Sequence, residues 1–161
     1  MWWRCLVTGQ EKHVESFIDG PDVDGDGVRD VFASFVWDDR GRRQQELRIE
    51  AVSGRDGRSR WCHRELLSSG EYNFNQGRRM AQMAWWQSDN DGWPLLIIPF
   101  WHERPQLFIV SSHDGTVRHV VPGAQFPVIR DFDGNGIPDL GFIDFNPRNG
   151  CLLYTSDAAD E

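Results

Sequence analysis

The sequence predicts an all-β chain, a partial β-propeller of about two to three four-stranded blades. Three observations carry this reading. Sixteen glycines and eight prolines punctuate short apolar runs, and no long helical periodicity interrupts them. An Asp-rich segment recurs along the chain. An Asp-Gly hairpin recurs as well, and aligning Asp56 with Asp114 gives an interval of 58 residues, the size of one four-stranded blade.

Taken in chain order, residues 1–21 are expected to end a preceding blade, with Trp2 and Trp3 in its last strand. Residues 22–88 form a blade that opens on DVDGDGVRDVFASF, where Val31, Ala33 and Phe35 alternate with Phe32, Ser34 and Val36 as a strand requires. Its LRIEAVSGRDGRSRW segment, residues 47–61, reads as strand, tight Asp-Gly turn, strand. Residues 38–46 and 68–79 are polar and expected in loops. Residues 89–130 form a second blade. It opens within SDNDGWPLLIIPF, residues 88–100, a worn copy that keeps Asp89, Asp91 and Gly92 but loses the later acid, and its hairpin is LFIVSSHDGTVRHV. Residues 131–150, beginning DFDGNGIPDLGFIDF, start the next blade. The Asp-rich starts are 67 and 42 residues apart, less regular than the hairpins.

Residues 151–161, CLLYTSDAADE, follow no part of this pattern and resemble a translated sequencing-library adapter; they are expected to lie outside the fold. Setting aside Asp157, Asp160 and Glu161 changes the net charge from −8 to −5.

Composition narrows the function classes. With 39% apolar and 12% aromatic residues in 161, the chain can build a core. No run reaches the ~18 apolar residues of a membrane span, so no membrane insertion is expected. The start, MWWRCLVTGQEK, lacks the layout of a secretion signal. Arginines are scattered among acids with no basic stripe, which argues against nucleic acid as a partner. Cys5 and Cys62 are too few to define a disulfide framework.

The chemistry lies in the Asp-rich loops. Calcium takes six or more oxygen ligands, which a short loop supplies from alternate positions where glycine permits a sharp turn. With Asp22 as position one, carboxylates fall at one, three and five (Asp22, Asp24, Asp26), a carbonyl at seven (Val28), and a carboxylate at nine (Asp30), with Gly27 at six. The second copy supplies Asp131, Asp133, Asn135, the Ile137 carbonyl and Asp139, with Gly136 at six. Seven carboxylates so grouped would repel one another without a cation. The alternative is a pair of Asx-type turns with solvated acids. The middle copy has Trp93 and Pro94 where ligands should continue and is expected to bind nothing.

An EF-hand or dockerin loop begins in the same way but closes on an acid at position twelve. Here that position is Ala33 or Phe142, within a strand pattern. Residues 22–35 and 131–145 thus resemble the calcium loops of FG-GAP repeats in integrin α-subunit propellers and of bacterial VCBS repeats. This resemblance implies Ca²⁺ as cofactor and a scaffold or adhesion-type module of a larger protein, without enzymatic activity of its own. It implies an unidentified protein or glycan ligand. Extracellular modules hold calcium at about 10⁻⁴–10⁻³ M, which suits an extracytoplasmic setting.

Other candidates carry less. The five histidines, at 13, 63, 102, 113 and 119, have no metal-binding spacing; no G-x-S-x-G elbow occurs; and GDGVRD lacks the third glycine of a dinucleotide loop. Among the eight tryptophans, Trp61 and Trp101 are expected in the core, while Trp85 and Trp86 would point to opposite faces of a strand, leaving one exposed. The Asp-Gly-x-x-x-Trp hairpin also resembles blades of quinoprotein (PQQ-type) dehydrogenases, which keeps a larger propeller enzyme as the alternative.

Overall fold

The structure, a computed structural model, describes residues 12–39, 44–67, 82–87, 92–101 and 105–144. All regular elements among them are β-strands. They form three antiparallel sheets. Among the described residues no helix is long and apolar enough to cross a membrane. Trp2, Trp3, Cys5, Asp89, Asp91 and residues 151–161 lie outside the described residues.

The chain divides into two compact units. The first holds β1 (Lys12–Asp19), β2 (Val31–Asp39), β3 (Gln44–Val52) and β4 (Ser59–Leu67), paired in sequence order. The alternation expected for β2 is present, yet Phe32 to Val36 are all buried, so the strand is covered on both faces. On one face Phe32, Ser34 and Val36 lie opposite Ala51, Ile49 and Leu47 of β3. Phe32 meets Trp61 with ring centroids 5.8 Å apart, an aromatic pairing added to apolar burial. On the opposite face the Arg48 guanidinium lies 4.2 Å from the Trp37 ring centroid and pairs with Glu46 at 2.8 Å.

The second unit holds β5 (Ala84–Trp86), β6 (Leu95–Trp101), β7 (Pro105–Ser111) and β8 (Val117–Pro122) in one sheet, and β9 (Ala124–Arg130) with β10 (Asp139–Asp144) in another. Leu95 and Ile97 of β6 and Leu107 and Ile109 of β7 point to one side of the first sheet. They pack with Ala124, Leu140 and Phe142 from the two-stranded sheet. Removing such side chains from water is the main stabilising term, about 1.5–3 kcal/mol for each fully buried large aliphatic residue.

The 58-residue repeat is real in the backbone. Ser53 N–H donates to the Arg58 carbonyl at 2.8 Å, and Ser111 N–H donates to the Thr116 carbonyl at 2.9 Å. Register shifts fall at Ala51/Val52 and at Ile109/Val110, and Gly57 and Gly115 share φ values of 73° and 74°. Turn and bulge are therefore copied together, because the left-handed glycine and the bulged residue jointly fix the hairpin register.

Sheet boundaries fall one strand earlier than the expected blade boundaries. Residues 12–19, read as part of a preceding blade, pair with β2 in its own sheet. Residues 124–130, read with the second blade, pair with β10. Each Asp-rich loop thus joins two antiparallel neighbours instead of opening a sheet. The sequence pattern marks the loop but not which strand the preceding residues pair with. Trp85 and Trp86 are neighbours in β5 and thus on opposite faces of the strand; both are half-buried, and Trp86 packs against the apolar cluster.

Candidate metal centre

Loop one runs between β1 and β2. Its acids fold the backbone around themselves. Asp22 Oδ1 accepts the N–H of Gly25 at 2.7 Å and its Oδ2 accepts that of Gly27 at 2.7 Å. Asp24 Oδ1 accepts the Asp26 N–H at 3.0 Å, and Asp26 Oδ1 accepts the Val28 N–H at 2.8 Å. Asp30 Oδ2 closes the loop on the Val23 N–H at 2.9 Å. Gly25 and Gly27 adopt φ values of 74° and 83°, conformations that carry little penalty only for glycine. The Asp22 carboxyl is held below its ordinary 3.8, foremost by the Gly27 N–H, with those of Asp26 and Gly25 adding and desolvation opposing.

Loop two, between β9 and β10, repeats these five bonds. Asp131 accepts from Gly134 at 2.7 Å and Gly136 at 2.9 Å, Asp133 from Asn135 at 2.9 Å, Asn135 from Ile137 at 2.7 Å, and Asp139 from Phe132 at 2.8 Å. The glycines again have positive φ, 81° and 89°. The Trp86 indole N–H donates to the Pro138 carbonyl at 2.6 Å, tying loop two to β5 within the same unit.

Positions one, three and nine come together in both loops. One carboxylate oxygen from each of Asp22, Asp24 and Asp30 lies within 4.8 Å of the others, and the same holds for Asp131, Asp133 and Asp139. Asp30 and Asp139 are buried, at 0% and 1% exposure. At position five, Asp26 Oδ1 accepts the Val28 N–H and Asn135 Oδ1 accepts the Ile137 N–H.

Each trio offers hard oxygen donors at a spacing that could hold a metal ion. In loop one Oδ2 of Asp24 and Oδ2 of Asp26 are buried and form no hydrogen bond, and each faces an arginine. Such atoms are costly unless a cation faces them.

Arginines from the β3–β4 hairpin supply positive charge there, a contribution that sequence reasoning missed. Arg60 pairs with Asp24 Oδ2. Arg55 Nε lies 3.5 Å from Asp26 Oδ2, and its Nη2 donates to the Asp26 carbonyl at 2.7 Å. The only sequence signal was the concentration of arginine in GRDGRSR, which reads equally well as surface solvation. Gly54 was missed too. A Cβ there would run into the Arg29 carbonyl, so only glycine lets the hairpin approach the loop.

Of the histidines, His63 is half-buried and His113 and His119 are exposed, and none joins a metal-ligand group among the described residues. No family model, curated protein or solved structure matches the chain.

Proposed function

We propose that the chain is a calcium-binding repeat module of the FG-GAP/VCBS type, with four-stranded sheets serving as blades of a propeller and loops one and two each holding one Ca²⁺. The observation that carries this reading is the duplicated loop, with the same five backbone bonds and the same converging carboxylate trio. A single Asx-rich turn arises easily; two copies sharing geometry and a like-charge cluster are economically explained by a common ligand.

Asp22, Asp24, Asp26 and Asp30 would hold the ion in loop one, with the Val28 carbonyl; Asp131, Asp133, Asn135 and Asp139 would do so in loop two, with the Ile137 carbonyl. The ion would supply charge neutralisation and cross-link each loop to the strands flanking it. The module would act as a scaffold presenting loops to a protein or glycan partner in an extracytoplasmic setting, without catalysis of its own.

Calorimetric titration with Ca²⁺ tests the reading, with two bound ions as the expected result. At ~1 mM calcium and a dissociation constant of ~10⁻⁴ M, each site adds about 1.4 kcal/mol of stability by linkage. No heat of binding and no calcium-dependent rise in melting temperature would overturn it.

A further inference from the structure

We propose that Arg60, assisted by Arg55, sets the calcium affinity of loop one by holding the carboxylate oxygens that the ion would use. The inference rests on the calcium reading above and deepens it by assigning residues that tune the site from outside the loop.

The oxygens are already apportioned. Oδ1 of Asp24 is engaged by the Asp26 N–H and Oδ1 of Asp26 by the Val28 N–H. Their Oδ2 atoms are the buried ones that accept no hydrogen bond. These same two atoms face the guanidinium groups of Arg60 and Arg55. Asp24 also belongs to the converging trio. A divalent ion in loop one therefore shares Asp24 with Arg60 or displaces it.

The hairpin holds the arginines there. Gly54 N–H donates to Asp30 Oδ1 at 2.9 Å, and Arg55 is anchored on the Asp26 carbonyl at 2.7 Å. Arg60 is further steadied by Asp56 at 4.0 Å. The four loop-one carboxylates sum to −4, and the two arginines reduce that to −2, which a calcium ion brings to zero. Arg60 carries the larger share of the effect: its side chain is 32% exposed against 62% for Arg55, so water and salt screen it less.

The test measures calcium affinity by calorimetry in an Asp133→Ala background, where loop two is disabled and the isotherm reports loop one. Arg60→Gln is expected to tighten binding about tenfold, the scale of removing one unit charge a few ångströms from a partly solvated divalent site. Arg60→Lys, which keeps the charge, should stay near the parent, and Arg55→Gln should tighten binding by a smaller factor. The tightened variants should also lose more affinity when salt is raised, because the site they leave is more negative. Melting curves establish that each variant is folded, and Arg55→Gln carries the test should Arg60→Gln fail to fold. Calcium binding that is unchanged or weakened by both glutamine variants would overturn this inference alone. Absence of binding in every variant, including the parent, would overturn the calcium reading and the tuning role with it.

Discussion

Asp30 accepts the Gly54 backbone N–H through Oδ1 at 2.9 Å, joining loop one to a hairpin 24 residues away. Its other oxygen accepts the Val23 N–H at 2.9 Å, and the side chain is fully buried. Asp30 is thus a structural brace as well as a candidate ligand. Asp30→Ala leaves two N–H groups without their acceptor, and each such loss costs about 1–3 kcal/mol when the donor is buried. Urea denaturation in chelator is expected to show a loss of about 3 kcal/mol for Asp30→Ala, and a much smaller one for Asp24→Ala.

Gly54 faces the backbone of Arg29, and Gly25 faces open space. Gly54→Ala must push two backbone segments apart and is expected to cost about 1–3 kcal/mol, the range for overpacking. Gly25→Ala meets nothing but carries a Cβ at φ 74°, at about 1 kcal/mol. Denaturation midpoints of the two variants check the order.

The two loops should lose calcium independently. Asp24→Ala and Asp133→Ala are each expected to remove one of two calorimetric sites. Asp91→Ala should leave the count at two, since the middle copy lacks the later acid. A count that falls with Asp91→Ala would restore the middle loop as a site.

Asp56 gives the hairpin a pH signature. Its carboxyl is held below the ordinary 3.8, foremost by the Arg58 N–H, with the charges of Arg60 and Arg58 adding and desolvation opposing. A carboxyl depressed by folding contributes stability above its unfolded value and loses that contribution as pH falls through the folded one. Wild type should therefore melt above Asp56→Asn at neutral pH, and the gap should narrow below pH ~3.8 as the depressed group takes up its proton. Parallel melting curves from pH 7 down to ~2.5 would show it; a gap independent of pH would assign the effect to the turn alone.

The second unit depends on the side chains between its two sheets. Leu107 is fully buried there. Leu107→Ala is expected to cost about 2–5 kcal/mol by loss of burial and the cavity left behind. Chemical denaturation followed by tryptophan fluorescence checks it, and a cost under 1 kcal/mol would mean that the site collapses or that the core lies elsewhere.

What the sequence by itself determined is whatever is encoded within a few residues. The spacing of Asp22, Asp24, Asp26 and Asp30 with Gly27 at position six announces the loop, because acids two apart can cap their own backbone and only glycine readily turns left-handed there. The same locality made the hairpin repeat legible: Ser53 and Ser111, Gly57 and Gly115 hold equivalent places because turn chemistry is read within the turn. Tertiary structure alone decided the strand partner of residues 12–19, the burial of both faces of β2, and the arrival of Gly54, Arg55 and Arg60 at the loop. Those are choices among distant partners of similar local pattern. An arginine in GRDGRSR carries the same letters whether it is solvated or set against Asp24; which of the two holds depends on the hairpin meeting loop one, where the Gly54 N–H donates to Asp30.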